Sequence, residues 1–151
     1  MTNTLQEFRH ELPVQIRFND MDILGHVNNA VYQHYYDLAR LDYFGKVIGT
    51  GFKWKEFGLV MASITIDFFK PVKMDEQIAV RSRVSIIGDK SITMVQELFA
   101  QLTGEVKSKN TAIMAGFSAI ANQTQALPET WKEKIFSYER SVEFKYPVKS
   151  L

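Results

Sequence analysis

One helical stripe followed by four long runs of two-residue alternation constrains this chain more than any other feature of its sequence. From about Asn29 to Phe44, the residues Val31, Tyr32, Tyr35, Tyr36, Leu38, Ala39 and Tyr43 recur at helical spacings, while Gln33, Asp37 and Arg40 fall largely outside the stripe. This predicts a long, half-buried helix, with Asn28 or Asn29 suited to capping its start and Gly45, or Gly49 with Gly51, to ending it. Trp54 to Gly58 is expected to add a short helical turn. After Gly58 the period changes to two: Val60, Ala62, Ile64, Ile66 and Phe68 alternate with Met61, Ser63, Thr65, Asp67 and Phe69 until Lys70-Pro71 stops the run. A second run places Ile78, Val80, Val84 and Ile86 on one face. Gly88-Asp89 then turns it into a third, with Ile92, Met94, Leu98 and Leu102 in register. Val106 to Ile120 forms a fourth, interrupted by Gly116. A strand through Val14, Ile16 and Phe18 precedes these elements, and a short helix is expected near Pro128 to Tyr138. A long helix inserted early in an antiparallel meander has to pack on one face of a curved sheet, which defines an α+β fold. A wide sheet covered by one helix leaves strand edges open, so self-association is expected.

At 151 residues, without repeats or a Pro/Ser-rich linker, the chain is of single-domain size, spanning 1–151. Eighteen Lys and Arg against seventeen Asp and Glu give a net charge of +1 with no long basic run, so nothing calls for nucleic acid. The absence of cysteine removes thiol nucleophiles, cysteine zinc sites and disulfides. Met1 to Glu11 is polar and lacks a signal-peptide core, and no window approaches the roughly 20 apolar residues that span a bilayer. A cytoplasmic protein without membrane contact is therefore expected.

The chemistry concentrates in Arg17-Phe-Asn-Asp-Met-Asp-Ile-Leu-Gly-His-Val-Asn-Asn-Ala-Val-Tyr32, which lies between a strand pattern and the helix start. Unpaired N–H groups at a helix start favour developing negative charge, and a carboxylate beside them suggests hydrolysis. Asp20 reads as a turn or cap residue rather than a reactive one. His26 can orient water or the acid, or simply bond to backbone. Asp20, Asp22 and His26 can also be read as hard-metal ligands, but no second cluster completes such a site, and no metal is expected. Tyr32, Tyr35, Tyr36 and Tyr43 belong to the core, with Tyr32 alone near enough to the helix start to shape a pocket.

Together, the loop Phe18-Asn-Asp-Met-Asp22 with Gly25, the helix from Tyr32 to Arg40, the strand from Ile64 to Pro71 and the turn Gly88-Asp89-Lys90-Ser91 resemble the hotdog-fold acyl-CoA thioesterases related to 4-hydroxybenzoyl-CoA thioesterase. The resemblance covers about Val14 to Ile120 and leaves a C-terminal extension from about residue 122. It implies a long central helix packed on a curved antiparallel sheet, Asp22 as nucleophile or general base, Gly25 as the loop glycine, and an oxyanion donor at Asn28 or Asn29. His26-Val27-Asn28-Asn29 is more similar to the fatty-acyl branch that includes the plant acyl-carrier-protein enzymes. That branch carries an asparagine two residues after the acid, where this chain has Leu24. The resemblance further implies an acyl-CoA or acyl-carrier-protein thioester as substrate. It implies no cofactor beyond the coenzyme A of the substrate, a homodimer or homotetramer, and an acyl pocket between protomers. Asp22, His26 and Asn29 are then the catalytic candidates, and Gly25, Val27, Asn28, Tyr32, Ser63 and Thr65 the substrate-binding ones. An enoyl-thioester hydratase and a non-catalytic acyl-CoA binder on the same fold share these features.

Overall fold

Alternation in the long runs builds a sheet of order β1-β3-β4-β5-β2, from strands β1 (His10–Val14), β2 (Gly58–Phe68), β3 (Ile78–Ile87), β4 (Ser91–Ala100) and β5 (Val106–Ser118). All neighbours along this path are antiparallel. The structure is a computed structural model and describes residues 7–49 and 57–145. The sheet curls around helix α1 (Tyr32–Val47), the hotdog arrangement. Two short strands extend it: β6 (Gln123–Thr124) on β5, and β7 (Glu143–Phe144), which runs parallel to β3. Helix α2 (Glu129–Tyr138), with Pro128 at its N-cap, packs beside the C-terminal end of α1. No helix among the described residues is long and apolar enough to cross a membrane.

The buried stripe of α1 is Tyr32, Tyr35, Tyr36, Ala39, Arg40, Tyr43 and Phe44. The four tyrosines are core residues, as their spacing suggested, but Arg40 is buried and Leu38 faces solvent, so the stripe is rotated from the expected one. The helix is entered through a 3-10 turn at Asn29–Val31 and continues through Gly45 to Val47. At its end the Gly49 N–H bonds Phe44 O at 3.2 Å. The turn expected at Trp54 to Gly58 lies mostly outside the described residues.

The first strand is displaced from its expected place. β1 ends at Val14, Ile16 is buried beyond it, and Phe18 is 84% exposed in a 3-10 turn, because Asp20 captures the Arg17 N–H and closes the chain into that turn. Bulges shift two further strands. In β2, Met61 pairs with Met114 and Ser63 with Ile113, so Ala62 is the extra residue. Met61 therefore joins Ile64, Ile66 and Phe68 on the helix side, and Val60 joins Ser63 and Thr65 on the outer face. In β3, Val84 pairs with Met94 and Ile86 with Thr93, which sends Ile86 outward and brings Ile87 into the core. Leu102 lies beyond β4 and is exposed. The interruption at Gly116 has a steric cause: a Cβ there would meet Gln125 O at 2.4 Å, so only glycine admits the chain leading from β6.

Two apolar clusters fill the space between sheet and helix. One gathers Val27, Tyr32, Tyr35, Tyr36, Ile78 and Leu98 near the start of α1; the other gathers Phe44, Ile87, Met94, Trp131 and Ile135 near its end. A polar row in register across three strands, Ser82, Gln96 and Asn110, lies between them. The Gln96 amide donates to Ser82 Oγ and to Tyr36 O at 3.0 Å each, and Gln96 Oε1 accepts from Asn110 at 3.0 Å. The Tyr36 hydroxyl donates to Ser108 at 2.8 Å, tying the helix to the sheet.

Candidate active site

Two acids, two residues apart, receive opposite environments in the loop before α1. Asp20 is 1% exposed, and its Oδ2 accepts from the Tyr35 hydroxyl at 2.6 Å and from Arg17 N at 2.9 Å. The Arg17 guanidinium donates to its Oδ1 at 3.1 Å. Burial pushes the Asp20 carboxyl up, but these donors outweigh it and hold the group below the usual carboxylate range. Asp20 thus anchors the loop to α1, the structural role its sequence context suggested.

Asp22 is half-buried and, among the described residues, bonds only to its own loop: Oδ1 accepts from Leu24 N at 2.9 Å and from His26 N at 3.2 Å. Asp22 N donates to His26 O at 2.8 Å and Gly25 N to Asp22 O at 3.2 Å, while Gly25 takes a φ of +78°, a left-handed turn that suits glycine. The bridge between Met21 and Val27 closes this loop at its base. Val27 N then donates to Val72 O and Asn28 N to Asp20 O, each at 2.8 Å, so the loop is fixed to the segment after β2 and to the buried acid. Asp22 and the helix start leave from adjacent points of this frame.

At the helix start, Asn28 Oδ1 accepts from Ala30 N and Asn28 O from Val31 N, both at 2.9 Å. The Asn29 N–H has no partner among the described residues and remains a free donor of the first turn. His26 is half-buried; its tie to Asp22 is through its backbone, and its ring makes no hydrogen bond among the described residues. Val27 and Tyr32 are core residues, and the Tyr32 ring stands edge-on to Phe68 with centroids 5.0 Å apart. Burial pushes the Tyr32 hydroxyl above its ordinary range. The fold thus brings Asp22, Gly25, His26, Val27, Asn28, Asn29 and Tyr32 together. Ser63 and Thr65 stand elsewhere, exposed on the outer face of β2, and neither hydrogen-bonds to the loop.

Among the cations, Arg81 is held by Glu97 at 3.2 Å and stacked on Phe99, and Lys107 is held by Glu76 at 2.9 Å and Glu105 at 3.0 Å. Both are engaged internally. No group of three or more His, Asp or Glu side chains that could hold a metal occurs among the described residues. The sequence pattern gave no sign of Arg40, buried between α1 and β2; only its place four residues after Tyr36 and four before Phe44 hints at a buried position.

The family model of the thioesterase-like superfamily matches residues 16–136. The chain is 24% identical over 134 residues to the acyl-acyl carrier protein thioesterase ATL2, chloroplastic, of Arabidopsis thaliana, covering 85% of this chain and 67% of that one. Among solved structures it is similar to a thioesterase from Thermus thermophilus crystallised with coenzyme A and zinc, at 29% identity, TM-score 0.75, and coverage of 89% of this chain and 97% of that one. It is similar also to the PA5185 protein of Pseudomonas aeruginosa, at 24% identity, TM-score 0.81, and coverage of 91% and 96%. With a loop acid beside an open helix start on a curled sheet, and a family match spanning most of its length, the chain belongs to the thioesterase-like superfamily and is a hotdog-fold thioester hydrolase.

Proposed function

We propose that the protein hydrolyses acyl-CoA thioesters to a free carboxylic acid and coenzyme A, with Asp22 as the reacting carboxylate and the Asn29 N–H as oxyanion donor. The observation that carries this reading is the pairing of a half-buried acid, held by its own loop through Oδ1, with an unpartnered first-turn N–H. A thioester carbonyl is electrophilic and a thiolate leaves readily, so an activated oxygen and one donor for the developing O⁻ suffice. Either Asp22 attacks the carbonyl carbon, the C–S bond breaks, and water then cleaves the resulting anhydride; or Asp22 takes a proton from water, whose oxygen attacks directly. In both routes the thiolate departs with a proton ultimately drawn from water. His26, beside the acid, is assigned a supporting role in orienting water.

Gly25, Val27, Asn28 and Tyr32 shape the site from the loop and the helix start. Ser63 and Thr65 are proposed to approach a site across a homodimer made through β2, since the exposed outer face of that strand carries them to the open edge of the sheet. The coenzyme A bound to the Thermus protein supports a CoA thioester as the substrate. The name of the Arabidopsis relative favours a carrier-protein thioester as the second reading.

The test is thiol release from short, medium and long aliphatic and aromatic acyl-CoAs, with Asp22→Asn beside the wild type. Release that falls by about 10³-fold in the variant supports the assignment. Equal release by both would overturn the role of Asp22. Hydroxyacyl product without thiol would redirect the reading to a hydratase, and saturable binding without product to a binder.

A further inference from the structure

The Asp22 loop leans on a strap of chain that follows β2. Val27 N donates to Val72 O at 2.8 Å, and His26 pairs with Lys73 in an isolated antiparallel bridge. The strap is fastened at both ends by one residue of β5, Lys107. Its backbone O accepts from Phe69 N at 2.9 Å and from Lys70 N at 3.2 Å, where the strap begins. Its Nζ donates to Glu76 Oε1 at 2.9 Å, where the strap ends. Glu76 Oε2 accepts from Lys73 N at 2.9 Å, and Glu76 N donates to Lys73 O at 3.1 Å, so the residue that pairs with His26 is gripped by the partner of Lys107. The Lys107 side chain is 7% exposed, a depth at which an ammonium is tolerated only when paired. Burial pushes its pKa down, but Glu76 and Glu105, at 2.9 and 3.0 Å, outweigh it and raise the value. Burial likewise pushes the Glu76 carboxyl up, and the ammonium with the Lys73 N–H holds it low. Without the ammonium, Glu76 and Glu105 face each other as like charges, since both reach the same nitrogen.

We infer that Lys107 is a positioning residue for the hydrolytic site: through Glu76 it sets the strap, and through the strap's bonds to His26 and Val27 it sets where Asp22 stands relative to the Asn29 N–H. This rests on the reading of the protein as an acyl-thioester hydrolase and extends that machinery to a residue of the sheet that touches neither substrate nor acid. Asp20 fixes the same loop from the helix side, by its bonds to Tyr35 and Asn28 N. Two buried charges therefore act as opposed anchors of a short segment whose middle carries the reacting acid. A shift of about 1 Å between reacting groups costs on the order of 10²-fold in rate, whereas interactions made equally in the ground state are kept. Loss of Lys107 is thus read in kcat and not in KM.

The test compares Lys107→Met, Lys107→Arg and Glu76→Gln with the wild type in two readouts. In thiol release from the acyl-CoA that the wild type turns over fastest, Lys107→Met should lose roughly 10- to 100-fold in kcat with KM within about twofold, and Lys107→Arg should recover most of the loss. Glu76→Gln keeps an acceptor for Lys73 N while losing the charge, so it should show the same split at smaller size. Glu76→Gln combined with Lys107→Met should lose no more than Lys107→Met alone, because the two act as a unit. The second readout needs no turnover: deuterium exchange of the Val27 N–H, followed by NMR, should quicken about tenfold in Lys107→Met while the α1 amides from Ala39 to Tyr43 keep their wild-type rates. An unchanged kcat in Lys107→Met overturns the inference, as does a rise in KM with kcat intact, which would give Lys107 to substrate binding. Equal quickening of Val27 and the α1 amides also overturns it, since that is general destabilisation. Should Lys107→Met fail to fold, the kcat-against-KM split in Glu76→Gln decides in its place. Faster Val27 exchange in the variant, with no thiol release from any acyl-CoA by the wild type, would retain the anchoring of the loop and overturn the hydrolase reading instead.

Discussion

Asp22 holds its own loop and is the proposed reacting carboxylate, and substitution separates the two. Its Oδ1 holds the Leu24 and His26 N–H groups, and asparagine can keep that acceptor while losing the charge. Asp22→Asn should therefore retain the thermal midpoint within about 2 °C and lose about 10³-fold in kcat, whereas Asp22→Ala should lose both activity and several degrees, read by melting and thiol release. His26→Ala should cost less than Asp22→Asn, about tenfold, because its ring has no bond to the acid; an equal loss would make it an obligatory partner. Asp20 is the stability residue of the pair. The donors that overcome its burial hold its carboxyl low, so its contribution is complete above the ordinary carboxylate range and is lost as pH falls through the lowered value. Asp20→Asn should cost about 2 kcal/mol near neutral pH and flatten the acid limb of the stability–pH curve, measured by urea unfolding across pH. That two acids occupy the loop was legible in the sequence. That one would be sealed by Tyr35 and the other left half-open depends on a residue fifteen positions away, which no local pattern reports.

At the scale of elements, period gave the type of each and missed its phase. The long alternations did become β2 to β5, and the stripe of tyrosines did become α1. Bulges at Ala62 and Ser85 then reversed the faces of part of β2 and of β3, since one extra residue moves every later side chain to the other side. Nothing in Met-Ala-Ser or in Val-Ser-Ile announces a bulge; each is fixed by the strand it pairs with. The segment after β5 shows the same dependence. Trp131 of α2 is buried and meets Phe57 edge-on with centroids 4.5 Å apart, and the Glu139 carboxylate just beyond α2 accepts from the Tyr43 hydroxyl and from Val84 N. Trp131→Ala should accordingly cost about 3 kcal/mol and roughly 10 °C in the thermal midpoint, by calorimetry.

On the scale of the whole molecule, the open side of β2 is the surface through which self-association is expected. Among the described residues β2 pairs only with β5 and ends the sheet, with Val60, Met61 and Phe68 substantially exposed along it and Leu38 and Leu41 exposed on the adjoining helix. An edge of this length and character is a pairing surface. Light scattering after gel filtration should find a homodimer or a multiple of it, and Val60→Lys should shift it to monomer and reduce thiol release together; a dimeric variant would move the interface elsewhere. The sequence by itself determined the class of fold, the order of its elements and the loop that carries the acid, because hydrophobic period and turn residues act over a few neighbouring positions. The tertiary structure alone decided which acid is buried, which faces of β2 and β3 look inward, and that Arg40 of α1 is buried. Those outcomes turn on partners brought together from distant parts of the chain, where the cost of desolvating each polar group is settled by what the fold places against it.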